Sequence, residues 1–250
     1  MNVLILAAGY ATRLYPLTLN KAKPLLVVGG KPIIEWVVDN LRGVPDLETI
    51  YVVTNDKFAA DFQAWSELYQ KRRPEFRFKI INDRSRSDDD KLGAIGDINF
   101  VVTQEKLSRS SLLIIAGDNL FTESLEEFVA CAKGSAATVG VYDVGDAESV
   151  KKYGNVLIDD HGIITHLEEK PQNPRGTLAA IALYYYSPEV LSLLNIYLAA
   201  GNNADQPGRF VQWLHTRKPV KTFQVKGQWL DIGSKETLEN ADQLLQKSKA

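Results

Sequence analysis

The residues best suited to chemistry follow the first apolar run of the chain. Residues 3–8 are continuously apolar and end at Gly9, a pattern that predicts a buried central strand. No acidic residue occurs before Glu35, but four cationic residues do: Arg13, Lys21, Lys23 and Lys31. Small residues let loop N–H groups approach phosphate oxygens, while Arg13 offers a bidentate fork and Lys23 a point charge. The alternative is an ordinary solvated surface loop.

This loop lacks the two best-known phosphate-binding patterns. Neither G-x-G-x-x-G nor G-x-x-x-x-G-K-[ST] follows the first strand. A dinucleotide-dependent oxidoreductase and a P-loop enzyme are therefore disfavoured.

A carboxylate follows a second buried strand. Asp118 comes directly after the apolar run 112–116 and Gly117, where it could hold a hard cation such as Mg²⁺. Alternatively Asp118 caps the next helix, a task for which Ser124 and Glu127 compete because they have capping-box spacing.

A third candidate lies near the C-terminus. Asp231 has apolar neighbours on both sides, which predicts a buried carboxylate that needs a partner or a metal. The alternative is a structural aspartate close to the beginning of the last helix, around Ser234.

Strands and helices alternate over roughly the first 135 residues, which predicts a Rossmann-like α/β fold with a mostly parallel sheet sandwiched by helices. We expect strands at 3–8, 50–53, 76–81 and 112–116, then at 139–142, 156–158, 163–167 and 178–186. We expect helices from 32, at 58–69, 95–106, 125–132, 188–200, 208–216 and from 234, with 246–250 as the end of the last one. The region 136–235 is thus a strand-rich second half. No linker divides the chain, so 1–250 is interpreted as one domain.

Composition narrows the class of protein. The 250 residues are 45% hydrophobic and carry a net charge of −2, which argues against a nucleic-acid binder. One cysteine, Cys131, excludes an intrachain disulfide and suggests a cytoplasmic protein. No apolar run reaches the roughly 20 residues that span a membrane, and the N-terminus lacks the basic region of a signal peptide.

Five collinear segments resemble the sugar-phosphate nucleotidylyltransferases, the family that includes glucose-1-phosphate thymidylyl- and uridylyltransferases. The resemblance covers nearly the whole chain. Residues 6–14 (LAAGYATRL) are similar to the family's L-A-A-G-x-G-T-R-L, 22–24 to P-K-P, 116–118 to G-D, 168–171 to E-K-P and 229–233 to W-x-D-x-G.

The resemblance implies a role for each matching residue. The loop Ala8, Gly9, Tyr10, Ala11 and Thr12 would surround a nucleoside triphosphate whose phosphates Arg13 holds. Lys23 would contact the α-phosphate and the attacking sugar phosphate, and Asp118 and Asp231 would hold Mg²⁺. Glu169 would bond sugar hydroxyls, Lys170 the sugar phosphate, and the Gly154 backbone the sugar.

Elementary chemistry agrees with this set of residues. A phosphate monoester has a second pKa near roughly 6, so the nucleophile is already an anion and needs no general base. The obstacle is repulsion between two polyanions, which Arg13, two lysines and a metal can offset.

Departures from the family pattern leave the identity of the nucleotide's base undetermined. Ala11 replaces the second loop glycine and Ala22 the usual proline, while no clear counterpart exists for the glutamine that reads a pyrimidine. Asn82 is one candidate reader, and Gly93 falls in a stretch similar to the base loop. Residues 85–90 are interpreted as a mobile surface loop. dTTP and UTP are favoured, with CTP as a further candidate; the sugar and any homo-oligomer stay undetermined.

Two other functions remain. One is a non-catalytic nucleotide- or sugar-phosphate-binding regulator of the same fold, and the other a transferase for a non-sugar phosphorylated acceptor. Longer relatives carry additional C-terminal domains, for which this chain has no room, so we expect a single activity.

Overall fold

The computed structural model describes residues 1–247 and shows an α/β fold. The strands are β1 (Asn2–Leu6), β2 (Val27–Val28), β3 (Lys31–Pro32), β4 (Ile50–Thr54), β5 (Phe78–Asn82), β6 (Leu112–Ala116), β7 (Asn119–Phe121), β8 (Ala137–Asp143), β9 (Gly154–Ile158), β10 (Ile164–Glu169), β11 (Leu178–Tyr186), β12 (Val220–Gln224) and β13 (Trp229–Asp231). The helices are α1 (Ile33–Asp39), α2 (Ala59–Arg72), α3 (Ala94–Gln104), α4 (Glu126–Ala132), α5 (Ala147–Val150), α6 (Pro188–Ala199), α7 (Pro207–Leu214) and α8 (Lys235–Lys247).

The chain forms two compact units. The first unit contains Asn2–Lys91, Ile115–Glu126 and the segment that begins at Gly227; the second contains Leu92–Ile114 and Glu127–Lys226. The sequence interpretation divided the chain near residue 135 instead. Residues 92–114 therefore group with the second half of the chain, because α3 packs against α6 and α7.

The first unit is built on parallel strands. β1 pairs with β4, in the register Val3 to Ile50, and β4 pairs with β5. β1 and β4 are almost entirely buried, as continuous apolar strands covered on both faces should be. Parallel pairing brings their carboxyl ends to one edge, where ligands bind in open α/β sheets.

The second unit combines antiparallel and parallel pairs. β11 is antiparallel to both β8 and β9, β9 is antiparallel to β10, and β12 lies parallel to β8. Helix α7 is fixed by aromatic edge contacts, since Phe210 packs against Tyr186 and Tyr197. That anchoring holds the first turn of α7 against the rest of the unit.

The predicted fold class and its main elements are confirmed. The long apolar runs became strands, while strands β2, β3, β7, β12 and β13 and the short helix α5 were not among the expected elements. Helix α8 extends to Lys247, and the rest of the predicted helix end, 248–250, lies outside the described residues. No helix within residues 1–247 combines the length and apolarity that a membrane span requires.

Candidate active site

The loop after β1 is held by hydrogen bonds at its beginning and is exposed at Gly9. The Ala7 N–H donates to the carbonyl of Val53, and the Ala8 carbonyl accepts from Asn55 Nδ2 at 2.9 Å. Gly9 is exposed, and a Cβ atom at that position would meet no atom within 4 Å. The loop therefore offers open backbone at Gly9, as a phosphate site needs.

The next residues turn the chain sharply. Ala11 has φ +49°, in the left-handed region that glycine adopts more easily, and its carbonyl accepts from Thr18 Oγ1 at 2.8 Å. Tyr10 is buried, and burial raises the pKa of its phenol. Thr12 and Arg13 begin a short 3₁₀ helix and are exposed. The outer surface of the loop is therefore formed by Gly9, Thr12 and Arg13.

Lys23 connects three of the segments that the sequence singled out. Its ammonium forms an ion pair with the carboxylate of Asp118 and donates to the Ile232 carbonyl at 2.9 Å. Ala22 behind it is buried, and Lys23 begins a 3₁₀ turn that fixes the direction of the side chain. The Lys23 and Asp118 side chains are each about four-fifths buried, so the pair is screened little by water.

Asp118 is an ionised carboxylate in a protected position. Burial alone would raise the pKa of Asp118, but the Lys23 ammonium and a 3.0 Å hydrogen bond from Asn119 outweigh it and lower the pKa. Gly117 precedes it, and a Cβ there would lie 3.0 Å from the Leu6 carbonyl. A side chain at Gly117 would therefore crowd the end of β1.

Asp231 is placed beside Asp118 by a short antiparallel ladder. Strands β7 and β13 pair with Asp231 opposite Asn119, and the Ile232 N–H donates to the Asp118 carbonyl at 3.3 Å. The expected burial of Asp231 was wrong. Ile232 is fully buried, whereas Asp231 is partly exposed.

The capping interpretation of Asp118 is not supported. Helix α4 begins at Glu126, whose N–H donates to Ser124 Oγ at 3.2 Å. Glu127 instead pairs with Lys226, so no capping box forms. Asp118 therefore does not serve as the cap of helix α4.

The two aspartates fit a magnesium ion. Within residues 1–247 no group of three or more His, Cys, Asp or Glu side chains has metal-binding geometry. Mg²⁺ commonly uses only one or two carboxylates and completes its shell with phosphate oxygens and water. Asp231 lies opposite Asn119, the residue after Asp118, and both aspartates are partly exposed, so the two carboxylates are of the type and number that such a site requires.

Asn82 lies at the end of β5 with both ends of its amide engaged. Its Nδ2 donates to Asp56 Oδ1 at 2.8 Å, and its Oδ1 accepts from the Arg84 N–H at 2.7 Å. One amide hydrogen remains for a ligand. Base reading by Asn82 stays a prediction.

The following segment, interpreted from the sequence as a mobile surface loop, is exposed at residues 86–90 and contains local hydrogen bonds. Asp83 is buried and accepts from the N–H of Ser85 at 2.7 Å. Asp90 accepts from the N–H groups of Arg86 and Ser87. Residues 83–90 thus form two consecutive turns closed by side-chain carboxylates.

Gly93 belongs to the second unit and has a packing role. Its φ is +77°, and a Cβ would lie 2.6 Å from the Ala204 carbonyl oxygen. The same backbone accepts the Ile95 N–H at 2.8 Å, which begins helix α3. Packing alone explains this glycine, and its contact with a base stays a prediction.

The second unit brings Gly154, Glu169 and Lys170 together. Glu169 lies opposite Gly154 in the β10–β9 ladder, and its Oε2 lies 3.0 Å from where a Gly154 Cβ would stand. Burial raises the pKa of Glu169 despite the opposing attraction of Lys170 and Arg209. Lys170 has φ +50°, donates its N–H to the Tyr153 carbonyl at 2.9 Å, and has an exposed side chain.

Two neighbours of Glu169 were missed in the sequence. Gly208, in the first turn of α7, faces the carboxylate, and Gln212 Oε1 accepts the Glu169 N–H at 3.2 Å. The Pro207-Gly208 pair was the available signal, because proline marks the beginning of a helix and glycine, which has a low helix propensity, is unfavourable in its first turn.

Comparison with known proteins decides the family. The model of the family described as nucleotidyl transferase matches residues 2–248. The chain belongs to this family. The chain is 25% identical, over 99% of its own length and 97% of the relative's, to the UTP–glucose-1-phosphate uridylyltransferase AglF of Haloferax volcanii. It is 28% identical to the glucose-1-phosphate thymidylyltransferase of Neisseria gonorrhoeae, covering 98% of the chain and 83% of the relative.

Other relatives are longer. The bifunctional protein GlmU of Methanocaldococcus jannaschii is 26% identical over 93% of this chain, which spans only 51% of the relative's length. Among solved structures, a putative glucose-1-phosphate thymidylyltransferase from Bacillus anthracis has a TM-score of 0.82 and 23% identity, covering 98% of this chain and 95% of that one. A UDP-glucose pyrophosphorylase solved with UDP-glucose gives the same TM-score at 22% identity, with 99% and 98% covered. These structures support the fold.

Proposed function

We propose that this protein transfers a nucleoside monophosphate from a nucleoside triphosphate to a sugar 1-phosphate, which yields a nucleotide-sugar and pyrophosphate. The observation that carries the proposal is the convergence on Lys23 of Asp118 and the backbone at Ile232. Family membership gives the reaction class, and relatives named for uridylyl and thymidylyl transfer support the sugar phosphate as acceptor.

The chemistry requires positioning rather than proton removal. An oxygen of the sugar phosphate, already an anion at neutral pH, attacks the α-phosphorus of the triphosphate. The bond to the bridging oxygen breaks, and its electron pair leaves with pyrophosphate. Arg13 would hold the triphosphate and Lys23 the α-phosphate, where fixed positive charge stabilises the transition state.

Lys23 is suited to this task because its position is determined before substrate arrives. Its two partners, the Asp118 carboxylate and the Ile232 carbonyl, hold the ammonium without ordering costs at the moment of reaction. A freely rotating lysine would lose side-chain entropy on binding, roughly 1.5–2 kcal/mol if fully fixed.

Asp118 and Asp231 would hold Mg²⁺, which supplies charge neutralisation and orientation of phosphate oxygens. Asp118 is kept ionised by Lys23, as a ligand for a hard cation must be. The β7–β13 ladder and the hydrogen bond from the Ile232 N–H to the Asp118 carbonyl hold the backbones of the two aspartates close together.

Glu169 and Lys170 would bind the acceptor. The Glu169 carboxylate is partly withdrawn from water, so a hydroxyl that bonds it is distinguished strongly from an analogue that lacks the group. Lys170 is exposed and held in a left-handed turn, free to contact the phosphate.

A pyrophosphate-release assay with Mg²⁺ tests the proposal, crossing ATP, CTP, GTP, UTP and dTTP with a panel of sugar 1-phosphates. We expect turnover with at least one pair, and its loss in Asp118→Ala and Asp231→Ala without unfolding. Absence of turnover from folded wild type, combined with calorimetric binding of a triphosphate, would instead favour a regulatory binding protein. Full activity of both variants would reject the mechanism.

A further inference from the structure

Two glycines enclose the Glu169 carboxylate. On one side, Oε2 lies 3.0 Å from the position of a Gly154 Cβ. On the other side, a Cβ at Gly208 would stand 1.9 Å from the same oxygen and 2.8 Å from the carboxyl carbon. Neither glycine needs its special backbone freedom here, because neither has a positive φ. The absent side chains are therefore explained by the space that the carboxylate occupies.

Helix α7 also fixes the main chain of the same residue. Gln212, one turn after Gly208, accepts the Glu169 N–H at 3.2 Å through its side-chain oxygen. Residues four apart lie on one face of a helix, so this face contacts both the backbone and the carboxylate of Glu169. The aromatic contacts of Phe210 with Tyr186 and Tyr197 keep the helix in place.

The geometry points to Gly208 as a positioning residue for the acceptor site, an inference that rests on the proposed function only for what the carboxylate binds. A side chain at 208 would push the Glu169 carboxylate off the Gly154 backbone. The carboxylate is the far end of a flexible side chain, so the fold would survive while the sugar contacts would be lost.

The kinetic test is Gly208→Ala, with Gly176→Ala as its matched control, because a Cβ at Gly176 would make only an ordinary 3.9 Å contact. A hydrogen bond to a charged group is worth about 1.5–3 kcal/mol, or roughly 10- to 150-fold in affinity. We expect KM for the sugar 1-phosphate to rise within that range in Gly208→Ala, with little change in KM for the triphosphate or in Tm. Gly176→Ala should match wild type.

A double-mutant cycle separates positioning from general damage. In a Glu169→Ala background, adding Gly208→Ala should change KM for the sugar 1-phosphate less than twofold, because no carboxylate remains to be displaced. Equal losses with and without the carboxylate would overturn the inference, as would wild-type kinetics in Gly208→Ala.

A second readout does not depend on activity. Carbon-detected NMR titration of Glu169 should give a pKa above the ordinary glutamate value in wild type and in Gly176→Ala, and a lower pKa in Gly208→Ala, because the displaced carboxylate gains water. Lys170, Arg209 and Tyr184 are the charged and titratable groups that act on Glu169. If wild type turns over no substrate pair, the proposed function fails while this titration still decides the positioning. An unchanged titration in Gly208→Ala would reject it.

Discussion

The ammonium of Lys23 forms an ion pair with Asp118 while it donates to the carbonyl of Ile232. These atoms come from three segments far apart in the chain. The pair keeps Asp118 ionised and fixes the lysine, so one interaction prepares a phosphate contact and a metal ligand together. The first prediction concerns this lysine.

Lys23→Ala should lower kcat about 10²–10³-fold, the loss seen when one preorganised charge or donor is removed from a transition-state site. It should also lower the free energy of unfolding by about 1–3 kcal/mol, because Asp118 is left partly buried without its partner. Steady-state kinetics and urea unfolding measure the two effects. Lys21→Ala is the matched control, since Lys21 is exposed on the same loop. An active Lys23→Ala enzyme would show that the ion pair is structural only.

Chelation tests the metal. EDTA should abolish pyrophosphate release, and added Mg²⁺ should restore it. Asp231→Asn should raise the Mg²⁺ concentration for half-maximal activity about tenfold or more, equivalent to at least about 1.4 kcal/mol of lost binding. The control is Asp160→Asn on an exposed turn. Turnover that persists in EDTA would remove the metal from the mechanism.

Asn82→Ala tests base reading. We expect KM for the preferred triphosphate to rise about 2- to 10-fold, the cost of one neutral hydrogen bond, with less discrimination among bases. Asp56→Asn is the control, because it keeps an acceptor for the Asn82 amide and removes only charge. If KM rises equally for every triphosphate, Asn82 serves only to hold the Arg84 turn.

Local patterns and long-range pairing explain what the sequence could predict. The runs that became β1, β6 and β11 are apolar by themselves, so their position follows from neighbours in sequence. Strands β7 and β13 have only three residues each and exist because they pair. The hydrogen bond of Trp229 Nε1 to Asn119 joins residues 110 positions apart.

The same distinction applies to the site. The cations of the first loop and both aspartates were selected as candidate site residues from their types and spacing, but the contacts that they make could not be predicted in this way. The exposure of Asp231 depends on which face of β13 meets the core, and a three-residue strand shows no alternation that could predict it. Gly208, on helix α7, was missed because its role depends on the Glu169 carboxylate at the end of strand β10.

The left-handed backbone conformation of Ala11 predicts how substitutions at this position change the stability of the fold. At φ +49° an L-residue is less stable by about 1–2 kcal/mol than in the right-handed region, and a β-branched residue fits worse. Ala11→Val should therefore lower the free energy of unfolding by about 1–2 kcal/mol, whereas Ala11→Gly should not lower it by more than about 0.5 kcal/mol. Thermal unfolding measures both. Equal stability of the valine variant would show that the turn relaxes.

The interactions of Asp39, which lies outside the candidate site, predict that the stability of the fold depends on pH. Burial would raise the pKa of Asp39, but Lys31, Tyr69 and Arg42 outweigh it, and the pKa falls below its ordinary value of 3.8. A pKa lowered by folding stabilises the fold above the unfolded value, and this contribution is lost as the pH falls through the folded pKa.

Asp39→Asn should therefore lower the free energy of unfolding at pH 7 by about 1–3 kcal/mol, the worth of hydrogen bonds to a charged group. In urea unfolding at a series of pH values, the difference from wild type should stay constant down to about pH 4 and shrink below it. Asp61→Asn, exposed on α2, should show no such difference. If the difference in free energy of unfolding between wild type and Asp39→Asn stays constant below pH 4, the stabilising interactions of Asp39 do not depend on its charge.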